Sequence, residues 1–523
     1  MTAKPMEARM LRSCVESHFT DQDEFIFQAV VPEDHRLRTV AANIDFEAFR
    51  DLLAPYYHQS MGRPGDPVLL VKVVYLQFHY CLSDAQIIER LRTDMALRWF
   101  AGLSLMDAPP NSSTLCYFRS RLGVEGTQKV MDSLIGQAKQ RNLLKYRLRL
   151  KDATHVEANI AILATLPLVA EVREKILDAS GPFAEQEVAA AEARMVEIRA
   201  ATKDSDDVVR LATRVELLRE ILAWAVLLER PEDAEETLWR KFEQSRDLLQ
   251  KMFEDAQDPK AGDRLRSAQD PDARRGKHGK FYDGYLVDVL MDADSELITS
   301  VNVLPANGYE GLDAVELMAH EISITGRQVQ AISIDGAGSP GEVVRQLSDP
   351  DGLALDVYVP PQDSSAPADL FPSSVFEEDD ERKTVTCPAG HQSHSQSRDE
   401  SRNGMTYVFQ AATCAACPLL NRCMAKPPKK AGRKVRKSDY EKEYQATREK
   451  AKTPEYKAIK KEHPKVERKL SELINRHGAR RARYWGLPKV LCQQLWTAFA
   501  VNVKRIIKLT SQAHTAGLCT PAD

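Results

Sequence analysis

The stretch YRLRLKDATH, residues 146–155, marks a change of pattern along this chain of 523 residues. Its first six residues alternate between basic and apolar or aromatic side chains, and Asp152 then begins a short polar segment. Alternation with a period of two is typical of a strand. We therefore predict a strand over residues 146–151 that ends at Asp152 in a polar turn.

A second acidic residue follows a short, mostly apolar run, Val329–Ile334, and this residue is Asp335. The patterns around the two acids predict a hairpin, two helices and a further strand: Tyr282–Met291 with Leu297–Val303, Leu312–Ile324, Gly341–Leu347 and Ala354–Val359. The crossover helix before Val329–Ile334 implies a parallel neighbour in the sheet. This order of elements predicts an α/β core of the RNase H-like class with a mixed sheet.

The rest of the chain divides by pattern around this core. We predict a helical N-terminal domain over 1–145, core segments over 146–165 and 266–360, a helical insertion over 166–265, a cysteine-bearing insertion and basic linker over 361–440, and C-terminal helices over 441–523. In the N-terminal part, Asp66 and Ser83 are suited to cap helices, and Pro67 suits a first helical position. Its short helices fit either a helix-turn-helix unit or an ordinary bundle. The insertion, with its long helical run over Phe183–Asp258, could bind DNA, mediate dimerisation or only enlarge the fold, although its acidity argues against phosphate contact.

Composition favours a cytosolic protein. The sequence has no run of about 18–20 apolar residues that could span a membrane, and its first residues carry no apolar signal segment. The net charge of −4 conceals an uneven distribution, because residues 426–508 contain 25 Lys and Arg against 8 Asp and Glu. Such a segment can present a positive face to phosphate, although solvated helices would show the same pattern.

Acids that follow separate strands suit metal-assisted phosphodiester chemistry. Two Mg²⁺ ions can activate an attacking oxygen and stabilise a leaving oxygen, and Mg²⁺ prefers carboxylate and water ligands. Asp152 and Asp335 stand where the carboxyl ends of strands converge, and Glu467 opens the helical run Val466–Ile474. Taken singly, an Asp after a strand is more often a turn former or a helix cap.

Cysteines and arginines provide two further candidate sites. Cys387, Cys414, Cys417 and Cys423 form C-x26-C-x2-C-x5-C, a spacing suited to a structural Zn²⁺, with His391 and His394 as substitutes for one ligand. The alternative is four reduced thiols in a loop-rich region. The predicted strands Thr384–Cys387 and Met405–Ala411 would bring the first two ligands together. After the Glu467 helix come four arginines and an aromatic pair, which suit DNA phosphates and bases: Arg476, Arg480, Arg481, Arg483, Tyr484 and Trp485.

The surrounding sequence resembles a known family. Residues 62–67 (GRPGDP), 97–103 (LRWFAGL) and 109–115 (PPNSSTL) look like the N-terminal domain of bacterial insertion-sequence transposases. Residues 151–159 (KDATHVEAN), Gly284-Tyr285 and residues 332–337 (ISIDGA) resemble the first-Asp, second-strand and second-Asp motifs of their DDE domain. Residues 466–469 (VERK), 476–486 (RHGARRARYWG) and 500–505 (AVNVKR) resemble the Glu motif, its basic continuation and the terminal helix. Related transposases often carry similar cysteines.

The resemblance implies cleavage at insertion-sequence ends and transfer of the freed 3′-hydroxyl to target DNA. It assigns Asp152, Asp335 and Glu467 as ligands of two Mg²⁺ or Mn²⁺ ions. It also implies DNA partners, the terminal repeats and the target, and a homodimer or larger assembly on DNA in the bacterial nucleoid.

This chain departs from the family pattern in three places. The aromatic residue expected after the second Asp is absent, with Gly338 or Ser339 in its place. The basic residue expected about two turns after the Glu is replaced by Ile474 and Asn475, and the Arg expected before it by His463 and Pro464. These departures leave open a catalytically inactive, transposase-derived DNA-binding protein, and a plain metal-dependent nuclease is a third alternative. Glu462 and Glu472 are the fallback candidates for the third acid.

Overall fold

The computed structural model describes residues 19–58, 65–161, 164–258, 262–309, 311, 313–335, 340–361, 369–379, 383–400 and 403–515. Several residues used in the sequence analysis lie outside this set: 62–64, 312 and 336–339. The described part combines helical regions with a mixed sheet, so the predicted mixture of helix and sheet is confirmed.

The first region is helical, as predicted. Its helices are α1 (Asp21–Val30), α2 (Arg36–Asn43), α3 (Ala48–Leu53), α4 (Pro67–His79), α5 (Asp84–Thr93), α6 (Met95–Ala101) and α7 (Ser112–Gln140). The Asp66 side chain caps α4 by accepting from the N–H of Val68, and Ser83 forms a capping box with Gln86 at the start of α5. Helices α4 and α5 meet at 108° across a short turn, an angle that fits a helix-turn-helix unit.

The main sheet carries the two acids that the sequence singles out. Its strands are β1 (Leu148–Glu157), β2 (Arg274–His278), β3 (Lys280–Asp292), β4 (Ile298–Pro305), β5 (Ala331–Ile334) and β6 (Asp356–Tyr358). The order is β2-β3-β1-β5-β6, with β4 paired to β3. The pairs β1–β5 and β5–β6 are parallel, whereas β3 is antiparallel to β1, β2 and β4. Helix α12 (Ala314–Thr325) leads from β4 to β5, and α13 (Gly341–Ser348) connects the parallel strands β5 and β6.

Two expectations about these strands were wrong. Strand β1 does not end at Asp152 but continues to Glu157, because β3 pairs with it along that whole length. Strand β2 was missed, because most of the side chains in its sequence RRGKH are polar and face solvent, so no buried face appears in the pattern.

A separate group of helices forms the region between β1 and β2. These are α8 (Thr165–Ser180), α9 (Glu185–Ala201), α10 (Asp207–Ala225) and α11 (Glu236–Gln257), and they enclose a core of their own. The helices begin at Thr165, earlier than the predicted Phe183. Pro167 lies in the first turn of α8, where a missing N–H is tolerated.

The cysteine-bearing region contains short strands and helices: β7 (Glu377–Asp379), β8 (Thr384–Thr386), β9 (Ser395–Asp399), β10 (Gly404–Val408), α14 (Ala411–Ala415), α15 (Leu420–Cys423) and β11 (Lys434–Ser438). Helices α16 (Glu441–Ala451), α17 (Pro454–Glu462), α18 (Pro464–His477) and α19 (Leu487–Thr515) follow. Helix α19 joins the N-terminal helices to the sheet through one continuous core that includes Leu495, Phe499, Val503 and Ile506.

Within the described residues, no single helix is long and apolar enough to cross a membrane. Helices α4 and α5 reach that length and composition only as a pair, bent sharply between its two members.

A glycine in β3 provides a test of this fold. A Cβ placed on Gly284 would lie 2.0 Å from the carbonyl oxygen of Val156 on β1, so we expect Gly284→Ala to force the strands apart. Its cost should be about 1–3 kcal/mol, measured by urea unfolding. Gly136→Ala on α7, where a Cβ meets nothing within 4 Å, is the matched control and should be neutral or stabilising by up to about 1 kcal/mol. Equal effects of the two substitutions would contradict the β1–β3 pairing.

Candidate functional site

The register of two parallel strands brings Asp152 and Asp335 together. Lys151 of β1 lies opposite Ile334, the last residue of β5, and the residue that follows each of them along the chain is one of the two acids. Leu148 and Leu150, which share the face of β1 with Asp152, pack against α17 and α18. Asp152 therefore lies where the parallel neighbour of β1 ends, on the face that these two helices cover.

His463 is the third residue of this cluster, and the sequence analysis did not identify it as a candidate site residue. Ligand atoms of Asp152, Asp335 and His463 all lie within 4.8 Å of one another. The His463 ring is buried, and its Nδ1 lies 3.2 Å from the hydroxyl of Ser333 on β5. Its Nε2 is also buried and has no hydrogen-bond partner in the described part of the chain.

The charge state of His463 suits a ligand. Burial lowers the pKa of His463 to about 4, the charge of Lys460 acts in the same direction, and Asp335 opposes both. A neutral imidazole keeps one nitrogen lone pair, which a divalent cation can accept. His463 precedes Glu467 by four residues, so the two lie on the same face of adjacent helical turns. That spacing was the one signal in the sequence that could have identified His463.

Lys460 places a buried amine beside the two acids. Its Nζ donates to the carbonyl oxygen of Ile334 at 2.8 Å, directly before Asp335. Burial lowers the pKa of Lys460 to about 8, while the carboxylates of Asp335 and Asp152 act in the opposite direction. The cluster thus combines two acids, one neutral imidazole and one amine.

The three candidates for the third acid differ in their surroundings. Glu462 binds Arg147 and Lys465, at 2.9 and 2.8 Å. Glu472 binds Lys504 and Lys469, at 2.7 and 3.1 Å, and these partners lower its pKa to about 2 against the effect of burial. Glu467 is exposed on α18 and makes no hydrogen bond or ion pair within the described part of the chain. Glu467 is therefore the one acid of the three that a ligand could engage without breaking an ion pair.

The predicted DNA-binding residues fall into two groups. Arg480 donates to the carbonyl oxygen of His155, and Arg483 donates to that of Leu82 at 2.8 Å, so both hold the fold together. Arg476 and Arg481 are exposed, and Trp485 is 47% exposed although its indole N–H donates to Asn159. The second group is therefore available to a partner.

The four cysteines gather around one small cavity. Cys387, Cys414, Cys417 and Cys423 line it together with His391, and the backbone N–H of Arg433 donates to the Cys414 sulfur at 3.4 Å. Burial raises the pKa of Cys423, and the other three thiols raise it further. The sulfurs are not among the groups of three or more ligand atoms that lie within 4.8 Å of one another in the described residues.

Two expectations about this region need correction. The predicted strands are present as β8 and β10, but they belong to different sheets, because β8 pairs with β7 and β10 pairs with β9 and β11. His394 is exposed and its Nδ1 lies 2.8 Å from the carbonyl oxygen of Val408, whereas His391 lines the cavity. His391 is therefore the one histidine placed to substitute for a cysteine.

Comparison with known proteins gives two family matches. Residues 25–121 match a transposase domain of the family DUF772, and residues 386–507 match a transposase DDE domain. The first covers most of α1–α7, and the second runs from the cysteine-bearing region through α18, with His463 and Glu467, into α19. No curated protein and no solved structure matches the chain.

The acid pair predicts a measurable response to a divalent cation. We expect Mn²⁺ at about 100 times its dissociation constant to stabilise the protein by about 2.7 kcal/mol, seen as a higher midpoint of thermal unfolding. Asp152→Asn and Asp335→Asn should abolish this shift, because each removes a charged ligand atom from the cluster. Asp204→Asn, an exposed acid in the helical region between α9 and α10, should retain it. An unchanged shift in both cluster variants would rule out this site as the point of binding.

Proposed function

We propose that this chain, a DDE-type transposase of an insertion sequence, cuts DNA at the ends of its element and joins the freed 3′-hydroxyl to target DNA. Asp152, Asp335 and Glu467 are the proposed ligands of two Mg²⁺ or Mn²⁺ ions. The single observation that carries the proposal is the register of β1 and β5, which brings the first two acids side by side.

The topology of the sheet supports the same proposal. With β4 at one edge, its strands follow the order β4-β3-β1-β5-β6, and β3 runs antiparallel to its neighbours. We assign this arrangement to the RNase H-like class, in which an antiparallel hairpin precedes two parallel strands. The helical region between β1 and β2 is an insertion into that core.

The chemistry of the cluster is suited to phosphodiester cleavage and joining. The family uses divalent metal ions, which in pairs activate an oxygen nucleophile and stabilise the leaving oxygen. His463 presents a neutral nitrogen to the acid pair, and its contact with Ser333 orients the ring. The amine of Lys460 keeps a positive charge against the carboxylates and would offset part of the phosphate charge.

The substrate class follows from the exposed basic residues. Arg476, Arg481 and Trp485 lie beyond the acid cluster on the path from α18 to α19, where they would contact the terminal repeats or the target DNA. Two ends must be handled together, so we propose a homodimer or larger assembly on DNA. Such an enzyme would act at the bacterial nucleoid, in the cytoplasm.

One assay tests the activity and separates the alternatives. Labelled DNA carrying the terminal repeats that flank the gene is incubated with a target plasmid, with and without Mg²⁺. We expect metal-dependent cleavage and joined products, both lost by at least about 1,000-fold in Asp152→Ala, as expected for loss of a group that supplies several kcal/mol at the transition state. Binding without cutting would identify an inactive DNA-binding protein, and cutting without joining a nuclease.

The third acid is assigned by three matched substitutions. Glu467→Gln should abolish cleavage, because it removes the carboxylate charge that α18 carries one helical turn after His463. Glu462→Gln and Glu472→Gln should retain cleavage and lose only stability, since both acids are occupied by ion pairs. Full activity of Glu467→Gln together with loss in either control would transfer the role to that control residue.

We also propose that the four cysteines hold a structural Zn²⁺. Elemental analysis of the purified protein should then find about one zinc per chain. Cys417→Ser should lose it and lower the thermal midpoint, whereas Cys116→Ser, an exposed thiol on α7, should keep it. A folded protein without zinc would exclude the site.

A further inference from the structure

The proposed function assigns no role to a short β-hairpin near the acid cluster. Strand β2 pairs with the beginning of β3, from Arg274 opposite Gly284 to His278 opposite Lys280. A single residue, Gly279, connects the two strands at a φ of +70°, a conformation that favours glycine. We call the segment Arg274–Tyr282 the basic hairpin.

The exposed surface of the basic hairpin is cationic. Its five titratable basic residues are Arg274, Arg275, Lys277, His278 and Lys280, and the segment contains no acid. The nearest acid along β3, Asp283, is buried and accepts from Arg266 and Arg275 at 2.6 and 3.2 Å. The charge of Lys277 and Lys280 is therefore not offset within the hairpin.

An aromatic ring stands among these cations. Phe281 is 69% exposed, and its ring centroid lies 6.0 Å from the Arg275 guanidinium and 5.8 Å from the Lys277 ammonium. The next residue, Tyr282, instead packs its ring against His155 of β1 at 4.8 Å. Because Tyr282 already fixes the hairpin to the sheet, the fold does not require an exposed ring at Phe281.

The position of the hairpin relates it to the acid cluster. His155, which contacts both Tyr282 and His278, lies three residues beyond Asp152 on β1, a rise of about 10 Å. At the end of β1, Glu157 pairs with Gly284 on one edge and bridges to Arg481 on the other. Arg481 has 85% of its side chain exposed, and Trp485 follows. The end of β1 thus has exposed cations and an exposed aromatic ring on each side. These are Lys277 and Phe281 on the hairpin side, and Arg481 and Trp485 on the other.

We infer that the basic hairpin is a DNA-contacting ribbon. Lys277 and Lys280 bind phosphates of the DNA next to the scissile bond, and Phe281 stacks on a base that has become unpaired there. Aromatic faces stack on any base, and flanking cations hold the backbone, so the combination favours nucleic acid over a protein partner. The inference deepens the proposed function and rests on it.

The experiment measures binding alone, so that it does not depend on cleavage. Fluorescence anisotropy without added Mg²⁺ or Mn²⁺ compares a blunt duplex with the same duplex carrying a short single-stranded tail, over a range of salt. Lys277→Gln combined with Lys280→Gln should lower the slope of log K against log salt by about 1.8 on both probes. Phe281→Ala should weaken binding of the tailed probe about 5- to 100-fold and leave the blunt probe nearly unchanged. Phe281→Trp should restore tailed binding.

Matched controls come from exposed residues of the helical region between β1 and β2. Arg199→Gln with Lys203→Gln removes two cations there, and Leu227→Ala removes an exposed apolar side chain. If the hairpin variants bind like these controls while the wild type binds and cuts DNA, the hairpin inference is wrong and the proposed function stands. If the wild type binds no DNA, both are wrong.

Discussion

The parallel register between β1 and β5 is the constraint on which the site depends. A slip by one residue would turn Asp152 to the opposite face and separate it from Asp335. Two buried ion clusters on that opposite face oppose such a slip: Arg149 binds Glu321 and Asp292, and Lys151 binds Asp288 and Asp313. A slipped strand would leave these charges buried and unpaired, at a cost of several kcal/mol. The partners of these charges lie on β3, on α12 and at Asp313, so the ion pairs keep Asp152 on the face of the sheet that the acid cluster occupies.

The other face of β1 is set by helices from the end of the chain. Val466 and Ile459 pack on Leu148 and Leu150, which places His463 and Lys460 over the acid pair. Helix α19 covers the same face of the sheet further along, at the β4 edge, where the Asn502 amide pairs with the backbone N–H and C=O of Ile298 at 2.9 and 2.7 Å. The same helix buries Trp496 and Phe499 among the N-terminal helices. The site is thus assembled from sequence segments about 300 residues apart.

Local patterns predicted much of the fold, because most of these elements carry a clear apolar signal. The strands β3, β4 and β5 are buried along most of their length and contain apolar runs, and the crossover helix α12 buries one face. Where the sequence pattern failed to predict a strand or its end, pairing with a neighbouring strand decided the structure, and the intrinsic strand propensity of the residues did not. Strand β1 extends past Asp152 because β3 continues beside it, and β2 is a strand because it pairs with β3 although it buries little.

Prediction of the site reached a similar limit. The sequence could bring Asp152 and Asp335 together by the rule that the ends of parallel strands converge at one edge of a sheet. The rule worked although β1 continues to Glu157, because its parallel neighbour β5 ends beside Asp152. Lys460 gave no such signal and His463 gave only its four-residue spacing to Glu467, because the place of both residues depends on how α17 and α18 cross the sheet. Lys460 and His463 lie beside two adjacent carboxylates, which repel each other when no cation is bound. The buried amine of Lys460 offsets part of that repulsion, and the neutral ring of His463 adds a donor without adding charge. The cluster of Asp152, Asp335 and His463 can therefore stay assembled without a bound cation, while the buried ion pairs of Arg149 and Lys151 hold β1 in place.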